Sequence, residues 1–176
     1  MSILISEMEK CRLRALEPED IDFLYDLENR EDLWEISQTQ LPFSRHILQS
    51  YIENAKQDIY EAKQFRYVIS SIDNQVVGCV DLYDFDPKNK RACVGIAILD
   101  AYRRQGYGQR ALEKLMDYSK TYLNLHQLIA YVLEDNDVSS HIFEKMGFVS
   151  YGIKKDWFFS HGKFKNVLIY QKIFGV

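Results

Sequence analysis

The chain has 176 residues, and its 22 basic and 26 acidic side chains give a formal net charge of −4. The hydrophobic fraction of 47% and the charged fraction of 27% are typical of a globular protein and exclude a disordered or collagen-like chain. The acidic balance argues against a protein that wraps nucleic acid, and no segment approaches the roughly 20 apolar residues of a membrane span. We therefore expect neither nucleic acid nor a membrane as a partner, and the length predicts a single domain over residues 1–176.

Cysteine and histidine usage favours a cytoplasmic protein without a metal centre. The three cysteines (Cys11, Cys79 and Cys93) include no CxxC pair and lie among apolar residues, which is typical of buried thiols in a reducing compartment. The four histidines are far apart in the sequence and form no ligand pair, so we expect no metal site. The first residues include glutamates and no long apolar run, unlike a signal peptide.

The charge is unevenly divided along the chain. Residues 1–90 hold 10 basic and 18 acidic side chains, whereas residues 91–176 hold 12 basic and 8 acidic ones. The densest acidic stretch, from Glu17 to Glu35, has nine acids and one base. This asymmetry either reflects two differently charged ligands or is ordinary surface variation, and composition alone does not decide between them.

The elements of the first half are a short strand, two helices and an antiparallel meander. Residues 11–16 alternate as a strand, Pro18 then marks a helix start, and Ser44 is placed to cap a second helix that runs to about Ala62. Three runs rich in β-forming residues follow, and the turns between them are short, which indicates antiparallel hairpins. These runs cover residues 65–72, 75–83 and 91–99.

The second half alternates between helices and strands. A long helical period begins at Gly108, a strand follows over 128–133, and a short helix ends at Gly147. Two more strands, over 149–154 and 164–173, flank a turn at His161 and Gly162. The order β-α-α-β-β-β-α-β-α-β-β predicts an α/β domain with a mixed, mostly antiparallel sheet.

A glycine turn joins the third strand of the meander to the longest helix. Its sequence, Arg103-Arg104-Gln105-Gly106-Tyr107-Gly108, offers glycine backbone, free helix N–H groups and two cationic side chains. These features together indicate a site for a pyrophosphate. The alternative is a tight turn in which the glycines serve only geometry. The segment also matches a G-x-G-x-x-A dinucleotide fingerprint, but a meander precedes it instead of a parallel βαβ unit, so we reject that interpretation.

The whole pattern resembles the GNAT superfamily of N-acetyltransferases. Arg-x-x-Gly-x-Gly after the third strand is similar to the acetyl-CoA motif of that family. Further stretches resemble the branch that contains ribosomal-protein-alanine and spermidine acetyltransferases: residues 77–82, 124–126, 135–137, 144–148 and 159–164. The resemblance implies a single GNAT-like domain that transfers an acetyl group from acetyl-CoA, its cosubstrate, directly to a primary amine. The acceptor would be a polyamine, a protein N-terminus or a small metabolite.

The resemblance also implies where the cofactor binds. The main chain of Ile96, Ala97 and Ile98 would pair with the pantetheine arm in the gap between this strand and the strand at 128–133. Amide groups of the glycine turn would hold the pyrophosphate, with Arg103 in the leading position of the motif. Asn136 matches a cofactor-binding asparagine, and it is equally well placed to cap the following helix. The residues implied for the pyrophosphate are Arg104, Gln105, Gly106, Tyr107, Gly108 and Gln109.

The catalytic groups are less well marked. Many relatives have a tyrosine as general acid one turn before a Gly-Phe pair, but this chain has Phe143, which cannot donate a proton. As general base, Asp81, flanked by apolar neighbours on a central strand, and Glu35, at the end of the acidic stretch, are the candidates. Each is also typical of an ordinary exposed acid. Cys93 fits a buried packing residue better than a nucleophile, because direct transfer needs no acyl-enzyme.

Three hypotheses follow from these patterns. The first is an N-acetyltransferase, and the second, suggested by Phe143, is a non-catalytic acyl-CoA-binding or regulatory module. The third, a nucleotide-dependent oxidoreductase, predicts stabilisation by NAD(P) and not by CoA. Exposed strand edges and the aromatic run Trp157-Phe158-Phe159 also indicate a surface on which two copies form a homodimer.

Overall fold

The computed structural model describes residues 10–31, 33–34, 39, 41–55 and 57–175. Its seven strands form one sheet in the order β1-β2-β3-β4-β5-β7-β6. The strands are β1 (Cys11–Arg14), β2 (Phe65–Ser71), β3 (Val76–Asp86), β4 (Arg91–Ile98), β5 (Gln127–Leu133), β6 (Val149–Ser160) and β7 (Lys163–Ile173). The helices are α1 (Ile21–Glu28), α2 (Arg45–Asn54), α3 (Ile59–Ala62), α4 (Tyr107–Thr121) and α5 (Asp137–Lys145), and 3-10 turns occupy Pro18–Asp20 and Asp100–Tyr102.

The sheet is antiparallel except where β4 pairs with β5. These two strands run parallel because α4 crosses the sheet between them. Strands β2 to β4 form the predicted meander, and β1 pairs antiparallel with β2 at its edge. Strands β6 and β7 form a hairpin whose turn is at His161 and Gly162. The order of strands and helices agrees with the prediction, apart from one additional short helix.

That additional helix corrects the prediction of one helix from Ser44 to Ala62. The first part is as expected, because the Ser44 side chain accepts a hydrogen bond from the Ile47 N–H. Helix α2 nevertheless ends at Asn54, and α3 starts afresh after Asp58, whose carboxylate accepts from the N–H groups of Tyr60 and Glu61. The aspartate is therefore an N-cap, a role that helical spacing alone does not reveal.

Three other boundaries differ from the prediction. Strand β1 ends at Arg14 instead of continuing to residue 16. The sequence predicts a turn over residues 134–137, but helix α5 already begins at Asp137 because Asn136 caps it. Strand β6 continues beyond Lys154 to Ser160 through a register shift that lies between Lys154 and Phe158.

The larger hydrophobic core lies between the sheet and α4. Its fully buried members include Val80 and Leu82 of β3 and Leu112 and Leu115 of α4. A smaller cluster (Leu24, Leu48 and Ile52) joins α1 to α2. Residues of β3 that alternate with the core positions face α1, because the Asp81 carboxylate and Glu28 of α1 both contact Arg66. The sheet is thus covered by helices on both faces.

The cysteines have the predicted state. All three are buried and unpaired. Within the ranges that the structure describes, no helix is both long enough and apolar enough to span a membrane.

Candidate active site

Strands β4 and β5 pair only at one end and then separate. The parallel register covers Arg91 with Gln127, Ala92 with Leu128, and Cys93 with Ile129. Beyond Cys93, β4 continues for five residues in partnership with β3, while β5 continues in partnership with β7. A gap between two neighbouring strands therefore opens in the middle of the sheet, where the sequence predicted a site for an extended ligand.

The register also shows which main-chain groups line this gap. The N–H of Leu99 donates to the carbonyl of Val77 in β3. Because the main-chain groups of successive residues point to opposite sides of a strand, every second residue before Leu99 also directs its N–H and C=O groups towards β3. Ala97 therefore directs its N–H and C=O towards β3. Ile96 and Ile98 direct theirs towards the gap, where an extended ligand can bond to them. Of the three residues predicted for the pantetheine arm, two are suitably oriented and Ala97 is not.

The glycine turn forms a concave run of backbone at the top of this gap. Arg104 and Gly106 have positive φ angles of 59° and 83°, which reverse the chain twice before α4 begins. The first main-chain N–H of α4 with a helical acceptor is that of Arg110, which bonds to the carbonyl of Gly106 at 3.2 Å. The N–H groups of Tyr107, Gly108 and Gln109 thus precede the helical ladder and find no main-chain acceptor among the described residues. N–H groups of this kind at a helix N-terminus are suited to anionic oxygens.

Gly108 lies in close contact with side chains of β4 and α5. A Cβ at this position would lie 2.9 Å from Ile142 Cδ1, 3.6 Å from Ile96 Cδ1 and 3.6 Å from Ile98 Cγ1. The first turn of α4 consequently rests directly on β4 and α5. This contact sets the distance between the phosphate-binding turn and the gap.

Arg103 is held by the protein itself. Its Nε donates to the carbonyl of Ile98 at 3.2 Å, and its Nη2 lies 2.9 Å from a carboxylate oxygen of Asp100. The other oxygen of Asp100 accepts from Arg30, at the end of α1. The side chains of Gln105 and Gln109 are also engaged, with the carbonyl of Ala101 and with Glu113. In this arrangement, Arg103 positions the loop and does not point a free guanidinium at the phosphate site.

Asn136 caps α5. Its Oδ1 accepts from the N–H of Ser139 at 3.1 Å, which is the structural role that the sequence allowed. The amide Nδ2 has no protein acceptor among the described residues, so a cofactor contact is compatible with the cap.

Lys10 is near the glycine turn, although sequence analysis did not select it. Its Nζ lies 5.2 Å from the centroid of the Tyr107 ring and 3.9 Å from the position of a Cβ built on Gly106. Nothing in the sequence signals this contact, because β1 and the turn are brought together only by the fold.

The surroundings of Asp81 differ from those predicted. The sequence suggested a carboxylate among apolar neighbours, but both oxygens accept hydrogen bonds from Arg66, at 2.8 Å from Nε and 2.9 Å from Nη2. Arg66 also contacts Glu28. Burial alone would lower the pKa of the Arg66 guanidinium, but the two carboxylates raise it well above its ordinary value. The prediction of an apolar environment for Asp81, which had favoured it as a general base, is therefore wrong.

Asp81 nevertheless lies close to the gap. It is the cross-strand partner of Gly95, which lies two positions after Cys93, the last residue of β4 that pairs with β5. Tyr131 lies two positions after Ile129, the partner of Cys93 in β5, so the Tyr131 side chain is on the same face of the sheet as Asp81. Its ring lies beneath the Lys154 ammonium, 3.9 Å away, and burial raises the pKa of its hydroxyl. The α1 face of the gap is thus bordered by Asp81, Tyr83 and Tyr131 around a glycine without a side chain.

Glu35, the other predicted base, lies outside the described residues. The described part of the acidic stretch is partly neutralised, because Asp20 pairs with Arg14 and Asp22 with Arg45. Some of the acidity that the sequence associated with a ligand therefore stabilises the fold.

Phe143 and Cys93 are both buried. The Phe143 side chain is 3% exposed and packs edge-on against Phe148, with Tyr170 stacked beyond it. Burial, with a further contribution from Asp84, raises the pKa of the Cys93 thiol to about 12. The thiol is therefore protonated at neutral pH, as expected for a packing residue.

Comparison with known proteins agrees with this geometry. The family model described as "Acetyltransferase (GNAT) domain" matches residues 10–149. The chain is 27% identical to the spermidine N(1)-acetyltransferase of Vibrio cholerae serotype O1 over 88% of each chain. It is 29% identical to the Escherichia coli K12 enzyme of the same name, over 89% of this chain and 82% of that one. The fold resembles a crystal structure of the spermidine N-acetyltransferase from Vibrio cholerae in complex with CoA and spermine, with a TM-score of 0.85, 25% identity and coverage of 93% and 95%.

Proposed function

The chain belongs to the acetyltransferase (GNAT) domain family, and on that premise we propose that a polyamine is the amine it acetylates. The family and fold inferred from the sequence are confirmed, and the cosubstrate is acetyl-CoA. The polyamine assignment is supported by the two spermidine N(1)-acetyltransferases that align with most of the chain. The sequence had left a protein N-terminus and a small metabolite as equal alternatives.

The observation that carries the proposal is the gap between β4 and β5 beneath the glycine turn. We assign the pantetheine arm to this gap, with Ile96 and Ile98 as its main-chain partners, and the pyrophosphate to the N–H groups of Tyr107, Gly108 and Gln109. Asn136 Nδ2 is the remaining cofactor donor in this assignment. The thioester then reaches the closed end of the gap, near Gly95.

The reaction is a direct transfer. The neutral amine attacks the thioester carbonyl, a C–N bond forms, and the C–S bond breaks as the tetrahedral intermediate collapses. The amine loses one proton, and the CoA thiolate gains one. Main-chain N–H groups that face the gap stabilise the charge that develops on the carbonyl oxygen. Phe143 supplies no proton, and the thiolate is protonated by water or by another group.

The acceptor approaches from the α1 face. Two carboxylates, Glu28 and Asp81, share one guanidinium there, which leaves the trio with a net charge of −1 beside the gap. A cationic amine is attracted to such a site, and a further positive charge along a polyamine is attracted to Asp26, the acid of α1 besides the paired Asp22 and Glu28. In this proposal Asp81 attracts and orients the acceptor. Glu35, the other base that the sequence suggested, remains the candidate base in this proposal.

An amine panel tests the proposal. Purified protein is mixed with acetyl-CoA and equal concentrations of spermine, spermidine, putrescine, butylamine and an N-terminal alanine peptide, and CoA thiol release is measured. We expect kcat/KM to increase with the positive charge of the amine and to fall as salt is added. Equal rates with butylamine and spermidine would contradict the polyamine assignment. Turnover of the peptide alone would transfer the proposal to a protein N-terminus.

The non-catalytic alternative makes a separate prediction. A binding module would gain thermal stability from CoA without releasing thiol from acetyl-CoA in the presence of any amine. Phe143→Tyr adds to this test, because it restores the hydroxyl that many relatives have. We expect wild-type turnover to be measurable without it; turnover that appears only in the variant would support the alternative.

Two further expectations concern assembly and location. We propose that β6, the strand at one edge of the sheet, forms a homodimer contact together with the start of β7, because Trp157 and Phe159 of β6 and Phe164 of β7 are each more than half exposed. Replacing Phe159 by Ser should shift a dimer to monomer in light scattering, and a wild-type monomer would contradict the idea. The buried free thiols support a cytoplasmic location.

A further inference from the structure

One of the two arginines of the glycine turn is not available to a phosphate. Arg103 stands in the leading position, but its guanidinium is bound to Asp100 and to the carbonyl of Ile98. A pyrophosphate carries two negative charges, and within the turn the exposed Arg104 is the other cationic side chain. A cation from elsewhere in the fold would stabilise the bound cofactor.

Lys10 is in position to supply that charge. Its Nζ lies 3.9 Å from the Cβ position of Gly106, at the centre of the turn, and 5.2 Å from the ring centroid of Tyr107. Gly106 is the N-cap and Tyr107 the first residue of α4, whose first N–H groups have no main-chain acceptor among the described residues. Among the described residues no carboxylate pairs with Lys10, so its charge is available to a ligand.

The fold holds Lys10 close to this site. The next residue, Cys11, is fully buried and pairs with Ser71 in the sheet, which fixes the backbone from which the lysine extends. The side chain therefore has to reorient only its own rotamers to move from the Tyr107 ring to a phosphate oxygen. The ring contact is a weak cation–π interaction, and an ionic hydrogen bond to phosphate replaces it at a net gain.

We propose that Lys10 is a cofactor-binding residue whose ammonium group pairs with the pyrophosphate of CoA. This inference rests on the proposed position of the cofactor in the glycine turn. It adds a residue from the opposite end of the chain and assigns Arg103 to shaping the loop instead of to phosphate contact.

The test compares Lys10→Gln with Lys10→Arg and with Lys155→Gln. Lys155 is an exposed lysine of β6 that serves as a matched control for loss of one charge. Binding of CoA to each protein is measured by calorimetry at low and high salt. We expect Lys10→Gln to raise the Kd for CoA about tenfold at low salt and less at high salt, Lys10→Arg to retain most of the affinity, and Lys155→Gln to change it little.

A phosphate-free cosubstrate separates this role from a structural one. Acetyl-pantetheine has the same thioester but no phosphate groups, so its kcat/KM should be the same for wild type and Lys10→Gln. Equal loss with acetyl-CoA and acetyl-pantetheine would overturn the inference, and so would a Kd for CoA equal to that of the Lys155→Gln control. Failure of the wild type to bind CoA would instead refute the proposed cofactor position itself.

Discussion

Gly78 of β3 allows β4, the strand to which we assign the pantetheine arm, to approach closely. A Cβ at this position would lie 2.2 Å from the carbonyl oxygen of Ala97 and 3.0 Å from Ile98 Cα, where ordinary contacts begin at 3.4 Å. Both obstacles are backbone atoms, so no side chain can rotate away. Gly78→Ala therefore has to push β4 outwards by roughly 1 Å within a close-packed sheet.

The cost follows from this displacement. Overpacking of a core costs about 1–3 kcal/mol, and alanine recovers about 0.5 kcal/mol by restricting the unfolded chain. Because the clash is with backbone, we expect the upper part of that range and a net loss of about 2 kcal/mol. For a domain of this size that loss lowers Tm by about 4–8 °C. It should also weaken CoA binding, since the displaced segment includes Ile98.

Gly152→Ala is the matched control. Gly152 is also in a strand, but the nearest atom to its Cβ position is Ile169 Cδ1 at an ordinary 3.6 Å. We expect its unfolding free energy to remain within about 0.5 kcal/mol of the wild type. Urea denaturation and CoA calorimetry on the three proteins make the comparison. Equal stability and equal CoA affinity for the two variants would refute the reasoning about β4.

Three other predictions concern separate parts of the fold. Ser119 Oγ is buried without a hydrogen-bond partner among the described residues, so Ser119→Ala should raise the unfolding free energy by about 0.5–1 kcal/mol in urea; a decrease would contradict this. Burial would raise the pKa of Asp20, but hydrogen bonds from Arg14 and the Glu17 N–H outweigh it and lower the pKa below 3.8. Asp20→Asn should therefore cost about 2 kcal/mol at neutral pH, and the difference from wild type should shrink as the pH falls below 3.8; a constant difference would disprove the linkage. Gly106→Ala places an alanine with a left-handed backbone in the glycine turn and should raise the Kd for CoA several-fold. Gly162→Ala, at a similar φ of 76° in the β6–β7 turn, should lower the stability by a similar amount but leave the Kd for CoA unchanged.

Local patterns were sufficient to predict most elements and the glycine turn before α4. Strand periodicity and short turns predicted the meander, and the spacing of Gly106 and Gly108 predicted where the backbone would approach a ligand. Gly147 also has the left-handed conformation expected after α5, with φ of 78°. These features depend on neighbouring residues, so the sequence contains the necessary information.

Features that depend on distant contacts could not be predicted in the same way. The ion pair between Arg66 and Asp81 forms across two strands, and the proximity of Lys10 to Gly106 depends on how β1 and α4 pack. The orientation of Ala97 depends on the register between β3 and β4, because a shift of one residue reverses every main-chain group. The segments of the proposed site could thus be named from the sequence, whereas the environment of each group depends on contacts that only the fold creates.

The most direct test of the account is the release of CoA thiol from acetyl-CoA in the presence of spermidine. The proposed function predicts that thiol accumulates with saturable dependence on both compounds and that acetylspermidine forms in equal amount. Thiol release that does not respond to spermidine or to any other primary amine, from protein shown to be folded, would contradict the central claim.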